Sequence, residues 1–175
     1  MSDLYFRIAK QNDTSLITSL VNAAYRGESS RQGWTTEADL LGGQRTDKQA
    51  IHDLIKQNNN VIILCLNNNE AVGTVHLRCE GSTCHFGMFT VRPDLQGQGI
   101  GKNFISYAEQ YAQKEWSCGT MSMTVIDLRH ELLQWYERRG YLNTGEAAEF
   151  PYGDERYGLP KRDDLKLTIL EKSLV

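Results

Sequence analysis

The sequence is short of proline, with three in 175 residues, carries four cysteines, and has no long apolar run. Each shortage excludes something. The longest apolar stretch, Val61 to Leu66, falls far short of the ~20 residues that span a bilayer, so no membrane partner is expected. Met1-Ser2-Asp3-Leu4-Tyr5-Phe6-Arg7 lacks a basic segment followed by an apolar one and does not read as a signal peptide. Cys65, Cys79, Cys84 and Cys118 contain no Cys-x-x-Cys pair and no two histidines stand at ligand spacing, so no metal is expected. Reduced thiols, Cys65 among them inside the apolar run, suit the cytoplasm. Positive charge is not in excess either. Nineteen Lys and Arg stand against 22 Asp and Glu, a net charge of −3. Nucleic-acid binding draws on clustered Lys and Arg, so the expected partner is a small molecule or a peptide.

What is present suits one globular domain, since a chain of this length buries about two thirds of its surface and needs no cross-link to hold a core. Leu4 to Ala9 reads as a first strand. Asp13 is placed to cap a helix whose apolar positions Leu16, Ile17, Leu20, Val21 and Ala24 have helical spacing. Arg26 to Gln44 reads as a long loop, of the kind that is often functional. A second helix is predicted over 47–56. Val61 to Leu66, apolar on both faces, reads as a central strand, and Asn67-Asn68-Asn69 as a turn. Ala71 to Arg78 and Cys84 to Val91 complete an antiparallel meander. Beyond it come a helix with Ile100, Phe104 and Ala108 on one face, a strand from Met121 to Ile126, a helix from Arg129 to Arg139 closed by Gly140, and last strands from Tyr141 and over 165–171. The fold class is α/β in one mixed domain.

The most informative stretch is Val91-Arg92-Pro93-Asp94-Leu95-Gln96-Gly97-Gln98-Gly99-Ile100-Gly101-Lys102. A glycine-rich turn between strand and helix exposes backbone N–H groups at a helix N-terminus, where the helix dipole adds positive potential; that suits a phosphate. A P-loop needs Gly where Gln96 stands and Ser or Thr where Asn103 stands. The dinucleotide fingerprint, started at Gly97 and Gly99, puts its last glycine on Lys102, and it opens a βαβ unit rather than following a meander. Both fail.

The pattern Gln/Arg-x-x-Gly-x-Gly/Ala is met at Gln96, Gly99 and Gly101, and it resembles the acetyl-CoA pyrophosphate loop of the GCN5-related N-acetyltransferases, the GNAT family. About thirty residues later, Val125 to Tyr141 looks like the family's other hallmark, a strand and helix ending in Tyr-Glu-x-x-Gly-Phe/Tyr, here Tyr136-Glu137-Arg138-Arg139-Gly140-Tyr141. One departure is Arg129, where many members carry Asn. The resemblance implies a single N-acetyltransferase domain over residues 1–175, built on a central mixed, mostly antiparallel sheet flanked by helices.

It further implies that the family's fourth and fifth strands splay apart to admit the pantetheine arm of acetyl-CoA, pairing with backbone near Phe89 and Val91. Gln98, Gly99, Gly101 and Lys102 would give N–H groups to the pyrophosphate, Gln96 and Gly97 would complete the turn, and Lys102 and Arg92 would add charge. Tyr136 becomes the expected general acid for the leaving thiolate, and the Val91 N–H a donor to the thioester oxygen. His85, Glu28 and Glu37 are alternatives for the base. The acceptor wall falls in the segment from Tyr25 to Arg45, which holds Trp34-Thr35-Thr36-Glu37 and Gly42-Gly43-Gln44-Arg45, with Phe150-Pro151-Tyr152-Gly153 opposite. The acceptor is a small-molecule amine or a peptide amine, and a homodimer stays open. Two other readings stand beside this one: a non-catalytic CoA-binding sensor, and an acyltransferase using a different acyl-CoA.

Overall fold

The computed structural model describes residues 3–34, 36–154 and 158–175. Its centre is a seven-stranded sheet of order β1-β3-β4-β5-β6-β9-β7. These strands are β1 (Leu4–Ile8), β3 (Asn60–Asn67), β4 (Glu70–Glu80), β5 (Thr83–Val91), β6 (Thr120–Ile126), β7 (Leu142–Glu149) and β9 (Lys166–Ser173). Every pairing is antiparallel except β5 with β6. The helices are α1 (Thr14–Tyr25), α2 (Gly27–Ser30), α3 (Lys48–Lys56), α4 (Ile100–Trp116) and α5 (His130–Glu137). The mixed, mostly antiparallel sheet flanked by helices is thus as expected.

The meander forms because its turns accept left-handed backbone. Asn68 and Asn69 sit at φ 50 and 68, and Gly81 at φ 61, geometry that Asn and Gly adopt at little cost. β3 is buried on both faces, as its continuous apolar run requires. Ile63 and Cys65 pack in the cluster that contains Phe104, Ile105 and Ala108 of α4, while Ile62, Leu64 and Leu66 meet Ile17 and Val21 of α1 and Ile51 of α3. Asp47 caps α3, its Oδ1 accepting from the Ala50 N–H at 2.8 Å.

Two local expectations are corrected. Asp13 precedes α1 but does not cap it with its side chain; the carboxylate turns back to accept from Arg7 at 2.8 and 2.9 Å and from the Lys10 N–H. A guanidinium within reach is a stronger donor than a helix amide. The segment 26–44 is not a plain loop. It contains α2 and the two-residue strand β2 (Leu41–Gly42), which pairs with β8 (Leu159–Pro160) in a separate small sheet.

Phe104 is fully buried and contacts the rings of both Phe6 and Phe89. Truncating it to Ala is expected to cost about 3–5 kcal/mol in urea unfolding, the usual loss for a core Phe.

Candidate active site

The site begins where two strands part. β5 and β6 pair only from Thr83–Thr120 to His85–Ser122, and each then runs on without the other. In β5 the separation coincides with a bulge: Thr74 faces Thr90 and His76 faces Gly87, so two residues, Met88 and Phe89, stand opposite one, with Met88 at φ 47. The Arg92 N–H bonds across to Val72 O on the β4 side, so by strand alternation the polar groups of Val91 and Phe89 face the gap. Two side chains take the carbonyls there. Tyr25 Oη donates to Phe89 O at 2.9 Å, and Gln96 Nε2 donates to Val91 O at 3.1 Å.

The glycine turn follows. Gly97 and Gly99 adopt φ 80 and 84, which β-carbon-bearing residues rarely do, and an added Cβ at either would meet nothing within 4 Å. Left-handed backbone beneath open space is what an anion cradle requires. No side chain caps α4, whose first-turn N–H groups therefore lack an intrahelical acceptor. Gly101 is tight for a different reason: its Cβ would come within 3.3 Å of Trp135 on α5. Trp135 lies under the Arg139 guanidinium at 3.5 Å and near the rings of Phe89 and Trp34. Together these residues line a cavity of about 230 Å³.

A second cavity, about 150 Å³, lies between the parted strands, lined by Phe86 to Phe89 of β5 and Met123 to Ile126 of β6. Tyr25, Phe89, Arg129, Leu132 and Tyr136 line both. The second is lined besides by Arg26, Glu37 and Arg45 from the 25–45 segment and by Phe150 and Pro151 from the far side of the chain. Glu37 is buried and bridges two guanidiniums: Arg26 Nη1 donates to Oε1, and Arg129 Nη1 to Oε2 at 2.7 Å. Burial alone would raise this carboxyl, but Arg129, Arg26 and Arg45 outweigh it and hold Glu37 below the usual carboxylate range. Tyr136 is buried at the junction, and that burial, with Tyr25 beside it, pushes its phenol well above the ordinary value despite Arg129 and Arg139.

The sequence matches the acetyltransferase (GNAT) family over residues 26–141, well over half of the chain. The chain belongs to the GNAT family. It is by class an acyltransferase. Solved structures agree in fold. An N-acetyltransferase from Staphylococcus aureus Mu50 superposes with TM-score 0.73 at 13% identity, covering 98% of this chain and 97% of that one. The ribosomal-protein-S18-alanine N-acetyltransferase from Escherichia coli gives 0.71 at 10% identity, covering 98% and 94%. A spermidine N-acetyltransferase chimera from Vibrio cholerae and hSSAT gives 0.72 at 16%, covering 99% and 96%. A search of curated proteins found no match to the sequence.

In this GNAT chain the residues singled out from sequence sort cleanly. Phe89, Val91, Gln96, Gly97, Gly99, Gly101, Lys102 and Tyr136 all line the first cavity. Gln98 is exposed on the turn and outside that lining. Arg92 is drawn away by Asp94 and Glu70, at 2.7 Å each. None of the three proposed bases is placed for that role. His85 pairs with Glu80 at 3.1 Å on the stretch where β5 and β6 are still joined, and it lines neither cavity. Glu28 is on the surface with Arg31. Glu37 lines the second cavity, yet guanidiniums occupy both of its oxygens and its low pKa makes it a weak base. Of the acceptor wall, Trp34 joins the first cavity and Glu37, Arg45, Phe150 and Pro151 the second, whereas Gly42, Gly43, Tyr152 and Gly153 join neither; Thr35 lies outside the described residues. Tyr25 and Arg26 line the cavities from within the segment expected to form the acceptor wall, whereas Leu132 and Trp135 were not anticipated as lining residues; Trp135 adjoins Tyr136, but nothing in the spacing of Leu132 marks it.

Glu37→Gln removes the charge that two buried guanidiniums share and is expected to cost about 3–5 kcal/mol in urea unfolding at pH 7. Because the folded pKa of Glu37 lies below its unfolded value, its contribution is complete above about pH 5 and is lost as pH falls through the folded value. The wild type should therefore lose stability more steeply than the variant as the pH falls below about 5. Parallel profiles would show that the bridge carries no such contribution.

Proposed function

We propose that the chain, as one domain over residues 1–175, is an acetyl-CoA-dependent N-acetyltransferase that moves the acetyl group to a primary amine by direct attack on the thioester. The observation that carries this reading is the meeting of two cavities at Tyr136, one floored by the glycine turn and the other lined by charged side chains. The compartment proposed with it is the cytoplasm, which suits four cysteines with no Cys-x-x-Cys pair.

The residues present fit the cosubstrate. The open space over Gly97 and Gly99 leaves room for a pyrophosphate, which the N–H groups of Gln98, Gly99, Gly101 and Lys102 would hold. Phe89 and Val91 would hold the pantetheine arm along the unpaired edge of β5. Gln96 keeps Gly97 and the turn in place through its bonds to Val91 O and the Trp34 N–H. Acetyl-CoA supplies the activated acetyl group and a thiolate leaving group.

Each remaining requirement falls to a group of this chain. The Val91 N–H, facing the gap, is the donor for the thioester oxygen. Tyr136 keeps its proton at Oη, since burial raises its pKa, and gives it to the departing sulfur, while the proton shed by the attacking nitrogen restores the phenol. The acceptor must arrive as a free amine. The guanidiniums of Arg26, Arg45 and Arg129 around the second cavity disfavour an ammonium there and lower its pKa without a dedicated base.

Calorimetry tests the reading first. Micromolar acetyl-CoA binding, absent for ATP and lost in Gly99→Trp, is expected; a folded protein that binds no acetyl-CoA overturns it. Tyr136→Phe should lower kcat by about 100-fold, the low end for a general acid, because a thiol of pKa ~8.5 already leaves fairly well. With the phenol pKa raised, wild-type kcat should show no loss from tyrosine ionisation up to about pH 10. Activity of the Phe variant within twofold of wild type removes Tyr136 from the mechanism.

A further inference from the structure

The second cavity is unusual in its charge. Among its described lining residues three arginines, Arg26, Arg45 and Arg129, accompany one carboxylate, Glu37. Glu37 already bridges Arg26 and Arg129. Arg45 is different. Among the described residues it has no carboxylate within ion-pair distance, and its guanidinium lies over the Tyr25 ring, 5.6 Å from the centroid.

Its position is fixed from below. Asn22 on α1 accepts from the N–H groups of both Arg45 and Thr46, at 2.8 and 3.0 Å, and donates through Nδ2 to Thr46 O at 3.0 Å. Three hydrogen bonds thus hold the backbone that carries Arg45. Tyr25, the ring beneath the guanidinium, is itself tied to Phe89 O. A cation whose backbone is held this way beside a cavity, with no ion-paired carboxylate among the described residues, is placed for an anion on a ligand.

We propose that the acceptor is a small amine carrying an anionic group, a carboxylate or a phosphate, and that Arg45 binds that group. The assignment rests on the acetyltransferase reading and narrows it. Arg45 and Tyr136 line the same cavity of about 150 Å³, so one small molecule can reach both; Arg45 also borders a wider cavity of about 680 Å³, and the length of the chain between amine and anion is what the test series reads. The field that attracts the anion also repels polycations. A polyamine, which would bring two further positive charges beside the Arg45 guanidinium, is selected against.

The test compares ω-amino carboxylates from glycine to ε-aminocaproate with their own amides, with aminoethylphosphonate, and with spermidine. Thiol release gives kcat/KM, and ligand-observed NMR on the acetyl-CoA-loaded protein gives affinity. At least one acid should exceed its amide by about 10- to 100-fold, the range for a hydrogen bond to a charged group. The phosphonate arm decides between carboxylate and phosphate. Arg45→Gln should abolish the preference for the anion while acetyl-CoA binding persists, and Arg45→Lys, which keeps the charge, should restore part of it. Acids that are neither faster nor tighter than their amides, or a preference for spermidine, overturn the proposal while leaving the transferase reading intact. Failure to bind acetyl-CoA at all overturns both.

Discussion

Everything at the centre of this molecule depends on two strands that pair for three residues and then separate. A parted sheet exposes backbone donors and acceptors on both inner edges, and buried ones must find partners. On the β5 edge the carbonyls are satisfied by side chains, Tyr25 to Phe89 and Gln96 to Val91, and not by another strand. Those two side chains come from opposite faces of the sheet, from α1 and from the turn before α4. The opening is therefore built into the fold, with its N–H groups left for a guest.

The second organising element is the buried carboxylate of Glu37. It joins Arg26, in the segment leading to α2, with Arg129 at the start of α5, far apart in the chain. A single anion thereby fixes the position of the acceptor-side segment relative to the helix that carries Trp135 and Tyr136. Buried ion pairs seldom add much net stability over apolar packing, but they are costly to break, and this one holds several elements in one arrangement. At Arg129, where the family resemblance would put Asn, the longer side chain reaches an anion that the 25–45 segment supplies.

How much of this was legible in the sequence follows from the range of the interactions. The meander, the glycine turn and the α4 face are local, and their spacing states them: Asn68 and Asn69 in a turn, Gly97 and Gly99 left-handed, Ile100, Phe104 and Ala108 buried. Tyr136 and the turn were readable as a pair because two motifs occurred in the right order. The second cavity was not readable in the same way. It gathers Arg26, Glu37, Arg129 and Phe150 from separate parts of the chain, and no periodicity reports which distant charges meet. His85 looked available because a strand leads from it toward Val91, yet the parting of β5 and β6 begins beyond it. Asp13 misled for a related reason. Its position is that of a cap, and only the fold brings Arg7 close enough to compete.

Gln96 has a consequence for how the segment before β2 is joined to the open edge of β5. Its amide oxygen accepts from Trp34 in the acceptor-side segment, and its amide nitrogen donates to Val91 at the open edge of β5. A single planar group thus ties the segment that carries Trp34 to the edge strand β5, at the rim of the one cavity that all three residues line. Displacing Trp34 from that rim costs the amide one of its two bonds, so the segment and the rim hold their places together.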